Sequence, residues 1–315
     1  MTSTPHPRPA WLPLNALRRL AENPVIVKEV RTRMRGGRAF TVVTVHLAAL
    51  GLILALAYLV FSASLTTSTS LEERRTLGKL MFGLLVGMEL TMISFTAPAL
   101  TSGAIASEHE RQTYDLIKVS LLPARALVLG KYLSGLSFVL LLIFTALPML
   151  GPAYLIGGLL PQEVIIAVLV LLMTAVSFCA AGMFFSSLTR RTLFATVLSY
   201  AYAILSVFGV PVMALFLLII FSARLNTSVT DLSPLVEALL IFSAWLVIAT
   251  NPGASLVASE IGLLDGQGIW SATLNLGQNR QVWVISPWIA YLVLNLLFSL
   301  LLLWLTEQRA RQVER

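Results

Sequence analysis

The sequence predicts an all-α polytopic membrane protein, and three observations lead to that class. Of its 315 residues 57% are hydrophobic and 12% are charged, whereas soluble domains carry about 25% charged residues. Several apolar runs exceed the roughly 18 residues that indicate a membrane-spanning helix. Lysine and arginine cluster at the ends of these runs, where they set membrane orientation. The formal charge of +7 therefore does not indicate nucleic-acid binding.

Six of the apolar runs are long enough to cross a bilayer. They cover about residues 41–63, 80–102, 126–148, 164–188, 193–220 and 285–306. A seventh run, Leu235–Thr250, contains Glu237 and is too short for a regular span, so it predicts a re-entrant or interfacial segment. We therefore expect a cytoplasmic lead over 1–40, a transmembrane domain over 41–306 with a re-entrant part at about 235–284, and a tail over 307–315.

The distribution of basic residues predicts the orientation of the chain. The excess of arginine before the first span assigns the amino terminus to the cytoplasm, and the loops with Arg111 and with Arg190 fall on the same side. The loop over 152–161 has no lysine or arginine and is predicted outside. Six crossings return the basic tail to the cytoplasm. We therefore expect a plasma (inner) membrane protein with both termini on the cytoplasmic side. One predicted outer loop is an exception, since it carries Arg74, Arg75 and Lys79.

A short basic helix is predicted just before the first span. Asn23 is a good N-cap, Pro24 suits the first helical position, and Gly36 ends the segment. Apolar residues recur at helical spacing, while cationic residues occupy the other faces. This pattern favours an amphipathic helix on the inner lipid surface, where cations meet anionic headgroups. The cations concerned are Lys28, Arg31 and Arg35.

A second punctuated element lies between the second and third spans. Ser107 and Glu110 have the spacing of a capping box, which predicts that a helix begins there. Pro123 would end it, because the residue before a proline disfavours helical geometry. The sequence thus predicts a charged helix of about 13 residues within a cytoplasmic segment over 104–125.

Both elements resemble one family of membrane proteins. The segment Ser107-Glu108-x-Glu110-Arg111-x-Thr113-x-Asp115-Leu116, followed by Leu122-Pro123 and Gly130-Lys131, resembles the cytoplasmic coupling segment of type-2 ATP-binding-cassette (ABC) exporter permeases. Asn23-Pro24-Val25 leading into Lys28-Glu29 is similar to the start of the same permeases. The family often has glycine where Gln112 stands, and glutamate or leucine where Asp115 stands.

The resemblance implies the transmembrane-domain fold of that family and a permease that pairs with a second permease subunit, identical or different. Each would dock on a nucleotide-binding ATPase subunit that binds ATP and Mg²⁺. This chain lacks a G-x-x-x-x-G-K-[ST] loop, so it is expected to bind no cofactor and to hydrolyse no ATP itself. The cargo is expected to be amphiphilic or hydrophobic. The residues that would couple ATP hydrolysis to transport are Glu108, Glu110, Arg111, Thr113 and Asp115.

The second span contains a carboxylate near the bilayer midplane. An intramembrane charge such as Glu89 costs about 2.5–3.5 kcal/mol on insertion scales, so it usually faces a cavity or a partner. Gly83 and Gly87 form a G-x-x-x-G pair that permits close helix packing. We predict that the glycines pack against protein while Glu89 faces a transport path or the partner subunit. A neutral, hydrogen-bonded Glu89 without a transport role is an equal alternative.

Two other functions remain open from the sequence. Glu89 suits a proton- or ion-coupled carrier, although His46 is expected to lie too near the cytoplasm to pair with it. A membrane-embedded enzyme is less favoured, because the three histidines are scattered and His109-Glu110 lacks a histidine at H-E-x-x-H spacing. No metal site is expected.

Overall fold

The structure is a computed structural model that describes residues 28–32, 37–67, 71–113, 123–156, 158–212, 216, 234–264, 266, 268–276 and 280–312. Within these ranges it is mostly helical and contains six helices long and apolar enough to cross a membrane. The predicted class of helical polytopic membrane protein is therefore supported.

Six candidate spans form the body of the structure. Each overlaps one predicted apolar run, because a spanning helix must cover the hydrocarbon core, but spans 1 and 2 begin earlier than predicted, at Gly37 and Leu71. Spans 1 to 4 are Gly37–Thr67, Leu71–Thr101, Ala124–Ala146 and Pro161–Leu188; span 5 is Thr192–Ile204 with a π turn at Leu205–Gly209; span 6 is Pro287–Gln312. The shorter elements are helix Ala106–Glu110, a 3₁₀ turn at Leu147–Leu150, and helices Gly151–Ile156, Pro234–Thr250 and Pro252–Leu264.

Span 4 lies at the centre of the bundle. Two thirds of its most apolar stretch (67%) is buried, compared with 17% for spans 1 and 5. It contacts spans 2, 3, 5 and 6, and the small residues Ala175, Cys179 and Ala180 are fully enclosed there. Small side chains let neighbouring helices approach closely. Span 4 is thus the core, while spans 1 and 5 lie at the periphery of this chain.

The segment predicted to be re-entrant has two different parts. Helices Pro234–Thr250 and Pro252–Leu264 meet at an angle of 117°, a bend that fits either a re-entrant loop or a broken span. The predicted re-entrant segment also included residues up to 284, and this part is not helical. An antiparallel hairpin stands there, with β1 (Ser271–Leu276) paired to β2 (Arg280–Ile285). Polar and apolar residues alternate along β1, which is the two-residue period of a sheet, whereas β2 begins with two polar residues and continues with four apolar ones.

The π turn in span 5 leaves two backbone carbonyls without helical partners. The Val210 N–H donates to the carbonyl of Leu205, one residue further back than in an α-helix, so the carbonyl of Ser206 is released. Pro211 has no N–H, so the carbonyl of Val207 is released as well. Unpaired carbonyls are costly away from water.

Asn251, at the 117° bend, pairs with both carbonyls. Its side-chain amide donates to the oxygens of Ser206 and Val207, the latter at 3.1 Å. Its Oδ1 accepts the N–H of Ala254 at 2.7 Å and thereby caps helix Pro252–Leu264. One buried side chain therefore fastens the bent pair of helices to span 5.

The two ends of the bundle differ in charge. Arg309 lies over the ring of Phe184 at the end that also holds helix Ala106–Glu110, and we name this the basic end. The opposite, far end holds Lys79 close to Glu163 and Glu260. The described cations of the basic end are Lys28, Arg31, Arg111, Arg125, Lys131, Arg190, Arg191, Arg309 and Arg311.

Candidate functional site

The candidate site is the junction segment, residues 102–113, which leaves span 2 at the basic end. It contains four of the five predicted coupling residues: Glu108, Glu110, Arg111 and Thr113. The fifth, Asp115, lies outside the described residues, as do the predicted helix beyond residue 113 and Arg35 of the predicted interfacial helix. Residues 28–32 of that interfacial helix are helical, with Lys28 and Arg31 exposed.

The helix of the junction segment begins differently from the prediction. Ser107 is not its N-cap, and the capping box between Ser107 and Glu110 is absent. Instead, the hydroxyl of Ser186 on span 4 accepts the backbone N–H of Ile105 at 2.8 Å and of Ala106 at 3.0 Å. The capping oxygen comes from a neighbouring span packed against the turn, so spacing along the chain could not reveal it.

The helix also ends early, after Glu110, so the predicted length of about 13 residues was wrong. The Thr113 N–H donates to the carbonyl of Glu108 at 3.0 Å, and the Gln112 N–H to that of His109 at 3.2 Å. These two bonds form a Schellman motif, which places Gln112 in the left-handed region with φ of 57°. Glycine adopts this conformation without strain.

Replacing Gln112 with glycine should therefore stabilise the chain. The relief of left-handed strain is worth about 0.5–1 kcal/mol, or about 1–3 °C in the melting temperature of the purified protein in detergent. Arg111→Gly is the matched control, because Arg111 is equally exposed but right-handed, with φ of −84°. It should lower the melting temperature. A Gln112→Gly variant no more stable than wild type would contradict the left-handed assignment.

A buried lysine of span 3 holds the junction segment. The Lys131 side chain is 7% exposed; its Nζ donates to the carbonyl of Ala104 at 2.7 Å and to Oε1 of Glu108 at 3.0 Å. Oε1 of Glu29, within helical residues 28–32, lies 3.8 Å from the same nitrogen. No individual role was predicted for Lys131 or Glu29, although a lysine leading into an apolar run must find partners.

Glu110 connects the junction segment to span 5. Its Oε2 accepts the hydroxyl of Thr192 at 2.6 Å and the backbone N–H of Thr192 at 3.2 Å. The carboxylate thus caps the first turn of span 5, where a negative charge is favourable. A hydrogen bond of 3.0 Å between the hydroxyls of Ser102 and Thr196 adds a second connection to the same span.

Thr101, at the end of span 2, fits into a notch between two glycines. A Cβ built on Gly182 of span 4 would lie 2.1 Å from Oγ1 of Thr101, and one on Gly135 of span 3 would lie 2.7 Å from its Cγ2. Both distances are far below van der Waals contact. Spans 2, 3 and 4 can meet this closely because both positions are glycine.

The junction segment is therefore attached to three spans through polar contacts and presents its tip to solvent. Lys131, Ser186 and Thr192 are the contact residues on spans 3, 4 and 5, and none of these roles was predicted. Arg111 and Gln112 are exposed at the tip. A force applied to the tip would be transmitted directly to the transmembrane helices.

The prediction that His46 cannot reach Glu89 was wrong. His46 Nε2 lies 3.1 Å from Glu89 Oε2, and both side chains are buried. Span 1 begins at Gly37, earlier than predicted. His46 is therefore about 14 Å from that end of the helix, against about 18 Å from Glu89 to the end of span 2 at Thr101. The two long side chains bridge this difference.

Glu89 and the two nearby glycines lie on different faces of span 2, as predicted from helical geometry. Glu89 is buried within this chain and borders a small cavity of about 20 Å³. Gly83 and Gly87 are exposed, and a Cβ on either would meet no described atom within 4 Å. They line a groove instead of packing against a helix of this chain. The buried face of span 2 carries the carboxylate, and the open face carries the glycines.

Neither metal sites nor relatives add to this picture. Within the part of the chain that the structure describes, no group of three His, Cys, Asp or Glu side chains could hold a metal ion. A comparison with protein-family models and with curated proteins finds no match to the chain. The function must therefore be argued from the junction segment and its contacts.

Proposed function

We propose that this chain is the transmembrane permease subunit of an ABC-type exporter, driven by ATP that a separate subunit hydrolyses. The observation that carries the proposal is the attachment of one exposed segment to spans 3, 4 and 5 through Lys131, Ser186 and Glu110. Such an element suits the transfer of movement from a docked ATPase to the membrane helices. The sequence resemblance to type-2 exporter permeases supports the same function.

The contacts favour a junction segment that passes movement on to the spans over one that is connected to them flexibly. Lys131 contributes a charge-assisted bond from a buried position, and such bonds are stronger and more directional than neutral ones. Ser186 binds two backbone amides at once, so the start of the helix cannot pivot freely about it. Displacement of the tip at Arg111 would therefore shift the ends of three spans together.

The proposal includes the membrane location and the partners. The basic end faces the cytoplasm of a plasma or inner membrane, with both termini on that side. The ATPase subunit binds there with its ATP and Mg²⁺, and a second permease subunit, a copy or a different chain, completes the transporter. The helix around residues 28–32 lies on the lipid surface, and the cargo is amphiphilic or hydrophobic.

The test of this proposal is the identity of the protein that touches the junction segment. A photo-crosslinking amino acid at Arg111 should capture, in native membranes, a protein with a G-x-x-x-x-G-K-[ST] loop. The same amino acid at Leu155, which is 85% exposed at the far end, is the control and should not capture that protein. If no phosphate-loop ATPase is captured at Arg111, or the same one is captured equally at Leu155, the proposal fails.

Glu110→Ala should separate ATP hydrolysis from movement of the spans. The change removes the cap on span 5 while Lys131 and Ser186 still hold the segment, so expression should stay near normal. In the complex with its ATPase, hydrolysis should continue. The ATP-induced change in distance between spin labels at Phe194 and Leu155 should fall several-fold.

Two variants of Thr192 act as controls for the Glu110 experiment. Thr192→Ser keeps the hydroxyl and should behave as wild type, whereas Thr192→Val keeps only the backbone N–H contact and should give an intermediate loss of movement. An unchanged distance response in Glu110→Ala would contradict the assigned role of this carboxylate.

A proton- or ion-coupled carrier is the second candidate function. The buried contact between His46 and Glu89 favours it, because paired ionisable groups within a membrane often mark a proton pathway. The purified chain in vesicles would then move substrate with a pH gradient and no ATPase, and Glu89→Gln would abolish that movement. Transport that needs the ATPase and survives Glu89→Gln would leave the pair a structural role.

A further inference from the structure

A groove at the far end runs between span 2, span 4 and helix Pro252–Leu264. Its volume is about 140 Å³. Its walls are mainly apolar, and Gly83, Gly87 and the 60% exposed Val257 leave one side open towards the surrounding lipid. The missing side chains of the two glycines create this opening. The groove is separate from the junction segment, which lies at the opposite end of the bundle.

Carboxylates stand at the end of the groove that is farther from the membrane centre. Glu163 and Glu260 both line it, and Lys79 lies between them, with Nζ at 2.9 Å from Glu163 and 3.2 Å from Glu260. Glu163 uses its second oxygen to accept the N–H of Leu160. Glu260 is 30% exposed and approachable.

The charge of this cluster is negative. Two carboxylates and one ammonium leave one net negative charge beside an apolar slot. The next described cation on span 2, Arg75, lies one turn farther out, against Gly158. A positively charged group would therefore be attracted to Glu260 at the end of the groove.

The length of the groove matches one leaflet of a bilayer. On span 2 its lining runs from Phe82 to Leu90, and on the third helix from Gly253 to Leu263, which corresponds to about 12–15 Å at 1.5 Å per residue. Half of the hydrocarbon core is about 15 Å thick. An alkyl chain in the groove would thus end near the membrane centre, with its headgroup beside the carboxylates.

We propose that this groove binds one alkyl chain of an amphiphile with a cationic headgroup, drawn from the leaflet at the far end, and that the headgroup lies against Glu260. The geometry and charge of the groove carry the binding itself. Its role as a cargo site rests on the proposed exporter function and deepens it, because it narrows the cargo to cationic amphiphiles.

A helix of a second copy fits the groove less well. An α-helix with its side chains is about 10–12 Å across. The groove offers only about 140 Å³, which is too little space to take in a cylinder of that width. A packed helix would also bury the partly exposed carboxylate of Glu260, and it would have to supply a cation to neutralise it.

The test compares two amphiphiles with the same chain and opposite charge. Full-length protein, purified in a neutral maltoside detergent, is titrated with dodecyltrimethylammonium or with dodecyl sulfate, and bound molecules are counted by native mass spectrometry. The cation should bind once per chain and about tenfold more tightly than the sulfate, as expected for one added charge contact.

Three variants locate the binding. Gly83→Leu fills the groove and should abolish binding of the cation, while Glu260→Gln should remove the preference for the cation over the sulfate. Gly51→Leu is the matched control, because Gly51 is also a span glycine with no described atom within 4 Å of an added Cβ. It should bind as wild type. The melting temperature of each variant shows that it is folded.

Several results would overturn the proposal: equal or tighter binding of the sulfate, wild-type binding in Gly83→Leu, or an unchanged preference in Glu260→Gln. If Gly83→Leu dissociates a dimer and leaves binding unchanged, the groove is an interface between copies. The measurement needs neither ATP nor a partner. Its failure would leave the exporter proposal standing, and a failed search for an ATPase would leave the binding result standing.

Discussion

Asn251→Leu should prevent the chain from reaching a stable fold. The side chain is 1% exposed and satisfies the Ser206 carbonyl, the Val207 carbonyl and the Ala254 N–H. Leucine leaves all three groups unpaired, at about 1–3 kcal/mol each, or about 3–9 kcal/mol together. Typical proteins are stable by only about 5–15 kcal/mol. We expect the yield of monodisperse protein in size-exclusion chromatography to collapse.

Two substitutions separate the contributions of Asn251. Asn251→Ser can still cap helix Pro252–Leu264 but cannot reach span 5, so it should lose about two thirds of the stability that leucine loses. Thr250→Val is the neighbouring control. Its hydroxyl is exposed and bonds only within its own turn, so the change should be under about 0.5 kcal/mol. A leucine variant with wild-type yield and melting temperature would refute the fastening role.

Gly182→Ala should lower stability by more than an ordinary overpacking change of about 1–3 kcal/mol. The added Cβ would lie 2.1 Å from Oγ1 and 3.2 Å from Cβ of Thr101. Spans 2 and 4 would have to separate, and Ser186, one turn from Gly182, would move away from the junction helix that it caps. The expected result is a large fall in melting temperature.

Thr101→Ala should partly rescue Gly182→Ala. It removes the closest atom, so the double variant should be more stable than the sum of the single changes allows, which a double-mutant cycle measures. Gly87→Ala is the matched glycine control. It meets no described atom within 4 Å and gains helix propensity of up to about 1 kcal/mol. If Gly182→Ala matches Gly87→Ala in stability, spans 2 and 4 are not as close as described.

The spans could be predicted from the sequence because a bilayer imposes a minimum apolar length on every helix that crosses it. Local capping rules worked less well at the junction segment. Ser107 and Glu110 have capping spacing, but Ser186 and Thr192 provide the actual partners from 80 or more residues away. Side chains from packed neighbours compete with local ones, and no spacing rule contains them.

The faces of span 2 show a similar limit to what the sequence can predict. Helical periodicity correctly separated Glu89 from Gly83 and Gly87, since they lie on different faces. It could not say which face meets protein, because that depends on where spans 1 and 4 stand. The contact between Glu89 and His46, and the groove beside the glycines, are both consequences of that placement.

The π turn of span 5 changes the direction in which the residues after it face. Its wider loop holds one extra residue, so the residues that follow are rotated by about 100° relative to an unbroken helical wheel. Before the turn, Tyr200 contacts span 2 and Thr196 contacts Ser102 of the junction segment. Within the turn, the carbonyls of Ser206 and Val207 accept the side-chain amide of Asn251. The parts of span 5 before and after the turn therefore face directions that differ by about 100° from those of an unbroken helix. Deletion of a single residue within Leu205–Gly209 would remove this offset and rotate the second part of the span.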